Sequence, residues 1–362
     1  AHQSVGGKRL GFLHVAAIGC GMSLSVLYRI MQNDFGEAFT DDDVTEISVN
    51  KPCEFFVAKK GCSAMVRHEN PNLTYERLKA FSKLIAAKAN QSISHETPLL
   101  SAQIQSQKHA DLFYRVQVVH DPAVYTGRIA LSIRKPSVMR LDYSVYREML
   151  ANVKTYSAVS EADRQLLDLY ERQDFWQFLK LAVQSKKNVL ISAGTDSGKT
   201  TLFNSLIELI DHDERIITIE DAKELDPPQP NTLQLYYSRG GQGIAKVTAQ
   251  DLMEACLRLR PQRLFLGEVR GAEAFTFLNI ISSGHPGAIA TLHADSPKQA
   301  LERMALMCLQ AGTTLTAEAI KEYVHNNIDV IVQLKRTPTG GYGCDSIYYK
   351  EWAVRNEENR FN

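Results

Sequence analysis

Apolar positions along this chain fall in short bursts, and the spacing within a burst differs between its two halves. From about Asp41 to Lys135 the elements are short and mixed. Val44-Thr45-Glu46-Ile47-Ser48-Val49 and Glu54-Phe55-Phe56-Val57 flank Asn50-Lys51-Pro52, which predicts two strands joined by a turn. Leu78, Phe81, Leu84 and Ile85 then recur at helical spacing behind Thr74, a residue suited to cap a helix N-terminus. Tyr114–Val119 and Arg128–Arg134 alternate as strands do. This pattern predicts a small α+β domain over residues 22–137.

Between Pro136 and Arg172 the chain is polar and mainly helical in pattern, with no strand signal, and residues 138–172 read as an inter-domain linker. After an apolar helix around Phe175, Phe178, Leu179 and Val183, the bursts become continuous runs: Val189–Ser192, Ile216–Ile219, Leu264–Leu266 and Ala288–Leu292. Runs of that length, alternating with helical patterns, predict a doubly wound parallel sheet over residues 173–362. A hairpin of Ile328–Leu334 and Ser346–Tyr349 around Gly340-Gly341 closes it.

The first residues stand apart from both domains. Lys8-Arg9 followed by Leu10–Cys20 imitates an export signal, yet the apolar stretch is shorter and more interrupted than the roughly twenty residues of a spanning helix. Met22 opens a sensible globular sequence, so residues 1–21 are expected to be an upstream or non-native extension without function.

Composition narrows the class without naming it. Apolar content of 44% and charged content of 23% over 362 residues are ordinary for a folded protein with two cores. Forty-one basic side chains against forty-one acidic ones give zero formal charge, which argues against a nucleic-acid coat and leaves no stable nucleic-acid partner expected. The six cysteines form no Cys-x-x-Cys pair, so they read as free thiols in a reducing cytoplasm and not as a zinc site or a disulfide frame.

The candidate chemistry centres on residues 193–200, Ala193-Gly194-Thr195-Asp196-Ser197-Gly198-Lys199-Thr200, which fit the phosphate-binding loop pattern with Ala in place of its first Gly. A buried strand precedes them, and a helical pattern beginning at Thr201 follows. Small residues let backbone N–H groups curl around phosphates at a helix N-terminus, where the peptide dipoles favour an anion. Gly194 to Thr201 would therefore hold ATP, with Lys199 on the β and γ phosphates and Thr200 on Mg²⁺. Asp196 departs from the pattern at the loop tip. It is expected to need left-handed backbone and to bring a carboxylate toward the phosphates, a repulsion of roughly 1–3 kcal/mol at an effective dielectric near 20 that would weaken binding.

Acids and histidines follow at strand ends, where open α/β sheets bind ligands. Arg263-Leu264-Phe265-Leu266-Gly267-Glu268-Val269-Arg270 places Glu268 where such an enzyme keeps the carboxylate that polarises water. Ile217–Glu224 ends in the acids Glu220, Asp221 and Glu224, and His285 and His293 flank the next strand as candidate sensors of the γ-phosphate.

The order of loop, Ile219-Glu220-Asp221-Ala222-Lys223-Glu224, Leu266-Gly267-Glu268-Val269-Arg270 and Gly284-His285-Pro286-Gly287 with Thr291-Leu292-His293-Ala294 resembles the hexameric secretion traffic ATPases. These include type IV secretion, type II secretion and pilus motors. Asn90-Gln91-Ser92-Ile93-Ser94, Pro98-Leu99-Leu100-Ser101 and Leu131–Ser137 look most like the type IV branch, whose soluble subunits form a ring at the inner membrane. The resemblance implies a RecA-like P-loop NTPase domain behind a smaller α+β N-terminal domain. It also implies a homo-oligomer, expected to be a hexamer, cytoplasmic and peripheral to the membrane, working with inner-membrane secretion-channel components. Lys199, Glu268, Glu224 and His293 take its catalytic roles, and Arg115 and Arg134 match N-terminal-domain arginines that reach nucleotide in relatives. The rival readings are a pilus-retraction or type II secretion ATPase, a weakly active scaffold in which Asp196 has disabled the loop, and a DNA translocase.

Overall fold

Alternating apolar residues build the first of two sheets in the computed structural model, which describes residues 26–107, 111–136, 142–151, 153, 159–241 and 243–361. The first unit runs to Asp121 and also takes Gly127–Pro136, and the second takes Pro122–Thr126 and the chain from residue 142 onward. The expected extension, residues 1–21, lies outside the described residues.

In the first unit, α1 (residues 26–35) and α2 (Glu37–Thr40) precede β1 (Val44–Val49), β2 (Glu54–Lys59) and β3 (Val66–Glu69). Then come α3 (Tyr75–Lys88), β4 (Leu99–Gln105), β5 (Phe113–His120) and β6 (Ile129–Arg134). The strands pair antiparallel in the order β3-β2-β1-β6-β5-β4. Leu100, Ala102 and Ile104 of β4 are buried while Ser101, Gln103 and Gln105 are exposed, so one face meets the core. Leu78, Phe81 and Ile85 of α3 fill that core, and Thr74 caps the helix by accepting from the Arg77 N–H, as its position predicts.

The second unit begins with α4 (Tyr143–Ala151), α5 (Glu161–Glu171) and α6 (Phe175–Gln184). Its sheet and helices then alternate: β7 (Val189–Ser192), α7 (Lys199–Ile207), β8 (Ile216–Glu220), β9 (Thr232–Tyr236), α8 (Ala249–Cys256), β10 (Arg263–Leu266), α9 (Glu273–Ser282) and β11 (Ile289–Leu292). It finishes with α10 (Pro297–Leu309), α11 (Ala317–Asn327), β12 (Val330–Arg336), β13 (Tyr342–Tyr349) and α12 (Lys350–Phe361). The strand order is β13-β12-β7-β11-β10-β8-β9, parallel throughout except for β13 at the edge. Every residue of β7, β8, β10 and β11 is buried, which explains why apolar residues predominate in them without alternation. Val189 and Ile191 join the core of α5, α6 and α7, and the alternate Leu190, Leu264 and Ala290 are equally buried toward the opposite face.

Two features differ from the sequence reading. Part of the expected linker 138–172 is integral to the second core: α5 buries Leu166 fully, and its Asp163 binds the Tyr349 hydroxyl at 2.8 Å and pairs with Lys187. Its single core-facing stripe amid charged residues reads as polar in sequence. The segment Pro122–Thr126, inside the expected first domain, lies along β9, where the Tyr236 N–H donates to the Ala123 carbonyl at 2.8 Å. It thereby covers an edge that would otherwise present unpaired backbone groups.

Candidate functional site

β7 is flanked by β11 and β12, and the loop that leaves its carboxyl end carries residues 193–198. Ala193 is fully buried, its N–H donating to the Leu292 carbonyl at 3.3 Å, so the methyl that replaces a hydrogen here is accommodated in packing. The loop turns through two left-handed residues, Asp196 at φ 51° and Gly198 at φ 81°. Gly198 is the N-cap of α7 and offers no side-chain cap, which leaves the first N–H groups of that helix for a ligand. The Ser197 hydroxyl lies 3.1 Å from the carbonyl oxygens of both Gly194 and Thr195 and tightens the curl.

Lys199, the first residue of α7, donates from Nζ to the Gly194 carbonyl at 2.9 Å and lies 3.3 Å from Nδ1 of His293. An ammonium only donates, so His293 Nδ1 accepts and its proton sits on Nε2, which faces Glu268 Oε1 at 3.4 Å. Burial holds the Lys199 ammonium below the usual lysine range, with Glu268 opposing. Glu268 is in turn paired through both carboxylate oxygens with Arg270, whose guanidinium also reaches Asp221 at 3.4 Å.

The acidic box approaches from β8. Thr200 donates its hydroxyl to Glu224 at 2.8 Å. Glu224 is aimed there by Glu220, which is 2% exposed and accepts the backbone N–H groups of Glu224 at 2.9 Å and Leu225 at 2.8 Å. Asn204 of α7 clasps the same segment, donating to the Glu224 carbonyl at 3.1 Å and accepting from the Asp226 N–H at 2.9 Å. The walls of the resulting cleft, about 280 Å³, include Lys199, Thr200, Glu224, Glu268 and His293.

Of the residues picked from sequence, the loop from Gly194 to Thr201, Glu224, Glu268 and His293 thus gather at one sheet edge. His285 does not join them: it stands at the opposite end of β11 from His293 and bonds the Pro261 carbonyl at 3.2 Å. Asp196 lines the cleft, but its carboxylate pairs with Arg336, a partner that sequence reasoning did not supply. Glu220 was marked only as one of three strand-end acids, and Asn204 and Arg270 were not picked; Glu220 in the acidic box and Arg270, two positions after Glu268, carried a local signal, and Asn204 carried none. Arg115 and Arg134 belong to the first unit, where they are directly opposite on β5 and β6 with exposed side chains on one sheet face. Arg134 is also the register partner of Glu46 on β1, so an acid lies beside the two arginines.

The type II/IV secretion system protein family matches residues 122–341, more than half of the chain. The type IV secretion system protein VirB11 of Bartonella henselae is 37% identical over 336 residues, covering 87% of this chain and 91% of the relative. PtlH, a type IV secretion system protein of Bordetella pertussis, is 37% identical over 302 residues, covering 81% of this chain and 86% of its own. The crystal structure of the Brucella suis VirB11 ATPase, in complex with sulphate, superposes with a TM-score of 0.81 at 34% identity, covering 90% of this chain and 97% of that one. With the cleft residues in this arrangement, the chain belongs to the type II/IV secretion system protein family and, within it, to the traffic ATPases of type IV secretion.

Proposed function

We propose that this chain hydrolyses ATP with Mg²⁺ in the cleft at the carboxyl ends of β7, β8, β10 and β11, as a ring-forming motor of type IV secretion. The observation that carries this reading is the convergence of an uncapped helix N-terminus, the Lys199 ammonium, the Thr200–Glu224 pair and Glu268 on one cleft. The donor set fits the ligands. Backbone N–H groups of residues 194–201 and Lys199 suit a polyphosphate, and Thr200 with Glu224 offers hard oxygens to Mg²⁺. No group of three or more His, Cys, Asp or Glu residues placed to hold a metal occurs among the described residues. Mg²⁺ would take its remaining ligands from phosphate and water. Glu268 would orient the attacking water, and His293, tied to both Lys199 and Glu268, would sit beside the transferred phosphate. Arg134 and Arg115 would reach the nucleotide and couple the N-terminal domain to it.

The relatives favour type IV secretion over a pilus-retraction or type II role. The Arg336 pairing of Asp196 supports an active loop over a disabled one. A ring of six, docked on inner-membrane channel components from the cytoplasmic side, completes the reading. No helix among the described residues is long and apolar enough to cross a membrane. Two variants test the site. Lys199→Ala should lose both nucleotide binding and turnover, whereas Glu268→Gln should keep binding and lose about 10²–10⁴-fold in kcat. A Lys199→Ala protein with normal kcat would sink the assignment.

A further inference from the structure

The β12–β13 hairpin grips the phosphate-binding loop at its two left-handed residues. β12 runs parallel to β7 as far as the Gln333–Ser192 pair, then continues past the end of that strand to Arg336, where its neighbour is no longer a strand but the loop. There Arg336 Nε donates to the Asp196 carbonyl at 2.8 Å while Nη2 pairs with the Asp196 carboxylate. One guanidinium fork therefore holds the main chain and the side chain of the same residue. Tyr342 is the register partner of Arg336 across the hairpin, and its ring lies over Gly198, so close that a Cβ built there would stand 3.1 Å from Tyr342 Cγ. Both grips come from a single cross-strand pair. They fall on the residues whose positive φ decides whether the loop curls its N–H groups inward.

We propose that Arg336 and Tyr342 are positioning residues that latch the phosphate-binding loop in its anion-cradling shape, with Asp196 serving as the anchor for Arg336. The latch rests on the reading of residues 193–200 as the nucleotide loop. It assigns Asp196 a role opposite to the repulsive one its charge suggests: the carboxylate is drawn to the hairpin, and the left-handed backbone, which an aspartate tolerates less well than glycine, is held by the contact to its own carbonyl. The close approach of the Tyr342 ring adds to the preference for glycine that φ 81° already sets at 198.

The test uses the full chain and a fluorescent ATP analogue, with steady-state kinetics beside it. Arg336→Ala should weaken analogue binding and raise KM about three- to tenfold, with kcat within about twofold. Arg336→Lys, which keeps the charge but not the fork, should recover only part of the loss. Asp196→Gly should bind the analogue no tighter than the parent, and the double variant should bind no worse than Arg336→Ala alone, because both changes open one latch. Unchanged binding by Arg336→Ala, or tenfold tighter binding by Asp196→Gly, would overturn the proposal. Lys199→Ala in the same titration separates the causes. If it abolishes the signal while Arg336→Ala leaves it intact, the latch alone is wrong; if it too binds normally, the nucleotide reading falls and the latch with it.

Discussion

Glu220 is the buried hinge of the acidic box, and replacing it separates its shape from its charge. One carboxylate oxygen accepts the N–H groups of Glu224 and Leu225, at 2.9 and 2.8 Å, and the other accepts the Thr218 hydroxyl at 2.9 Å. The side chain is wedged in place, since a Cβ on Gly267 would sit 3.2 Å from its Cγ. Burial raises its carboxyl above the usual glutamate range, although the two backbone donors and Thr218 pull it back. Ionised Glu220 is thus not a net gain for the fold. Glu220→Gln keeps an acceptor for both N–H groups, and the Thr218 hydroxyl can rotate to accept from the new amide, so stability at pH 7 should change by less than about 1 kcal/mol. Glu220→Ala leaves the N–H groups of Glu224 and Leu225 without their acceptor, and since Leu225 is buried while Glu224 is exposed, the loss should be about 1–3 kcal/mol. It also frees Glu224 from its aim at Thr200, and a displacement on the order of 1 Å lowers kcat about 10²-fold. Urea unfolding and steady-state ATPase assays at several Mg²⁺ concentrations read both effects. The pH dependence has a definite sign. Because the folded carboxyl holds its proton to higher pH than the unfolded one, its contribution is fully present below the unfolded value and is lost as pH rises through the folded value. The parent should therefore gain stability relative to Glu220→Gln as pH is lowered from 7 toward the unfolded glutamate range. Alanine and glutamine variants with equal stability and equal turnover would refute the hinge.

Two further outcomes concern arginines, one buried and one exposed. Arg263 is 1% exposed, binds Glu214 through Nε and Nη2 at 3.1 and 2.8 Å, and donates from Nη1 to the Val183 carbonyl at 2.7 Å. Arg263→Ala should cost up to about 3–5 kcal/mol in urea unfolding, because Glu214 keeps only Lys186 at 3.0 Å as its ionic partner and the Val183 carbonyl loses its donor, and a loss below about 1 kcal/mol would contradict this. Burial alone would raise the Glu214 carboxyl, but Arg263 and Lys186 together hold it below the usual range, so the pair's contribution is present above the unfolded glutamate value and fades as pH falls through the folded one. Arg134→Ala should lower ATPase activity with an unchanged sedimentation profile, and unchanged activity would remove the N-terminal domain from the site.

Legibility in the sequence tracked how local the cause of each element is. The strands of the parallel sheet announce themselves by apolar runs, because burial on both faces leaves few polar positions, and those that occur, such as Thr218, Glu220 and Arg263, are bonded inside. β3, β4 and β9 went unread for separate reasons. All four residues of β3 are exposed, so pairing with β2 and no burial pattern defines it. β4 alternates, but its outward residues Ser101, Gln103 and Gln105 and its inward Ala102 weaken the contrast. β9 alternates buried Leu233 and Leu235 with half-buried Thr232, Gln234 and Tyr236 over only five residues at the sheet edge, where β8 and Pro122–Thr126 lie beside it. The same rule sorts α5, whose Leu166 and Asp163 acquire meaning only from Phe178, Lys187 and Tyr349.

Site residues obey this rule more strictly, because their chemistry depends on what they face. Lys199, Thr200, Glu268 and His293 were found from spacing, since each sits at a strand end or helix start whose position the local pattern fixes. His285 fails by the same geometry: a residue before a parallel strand and one after it emerge at opposite edges of the sheet, and only the carboxyl edge holds the cleft. For Asp196 the sequence shows a departure and correctly implies left-handed backbone, which φ 51° bears out. What it withholds is direction, because Arg336 lies 140 residues away and reaches the loop only through the pairing of β12 with β7. A carboxylate beside a phosphate loop reads as repulsion when its partner is unknown. With the partner in place the same charge is bound, so departures from a motif are to be weighed against what the fold brings to them.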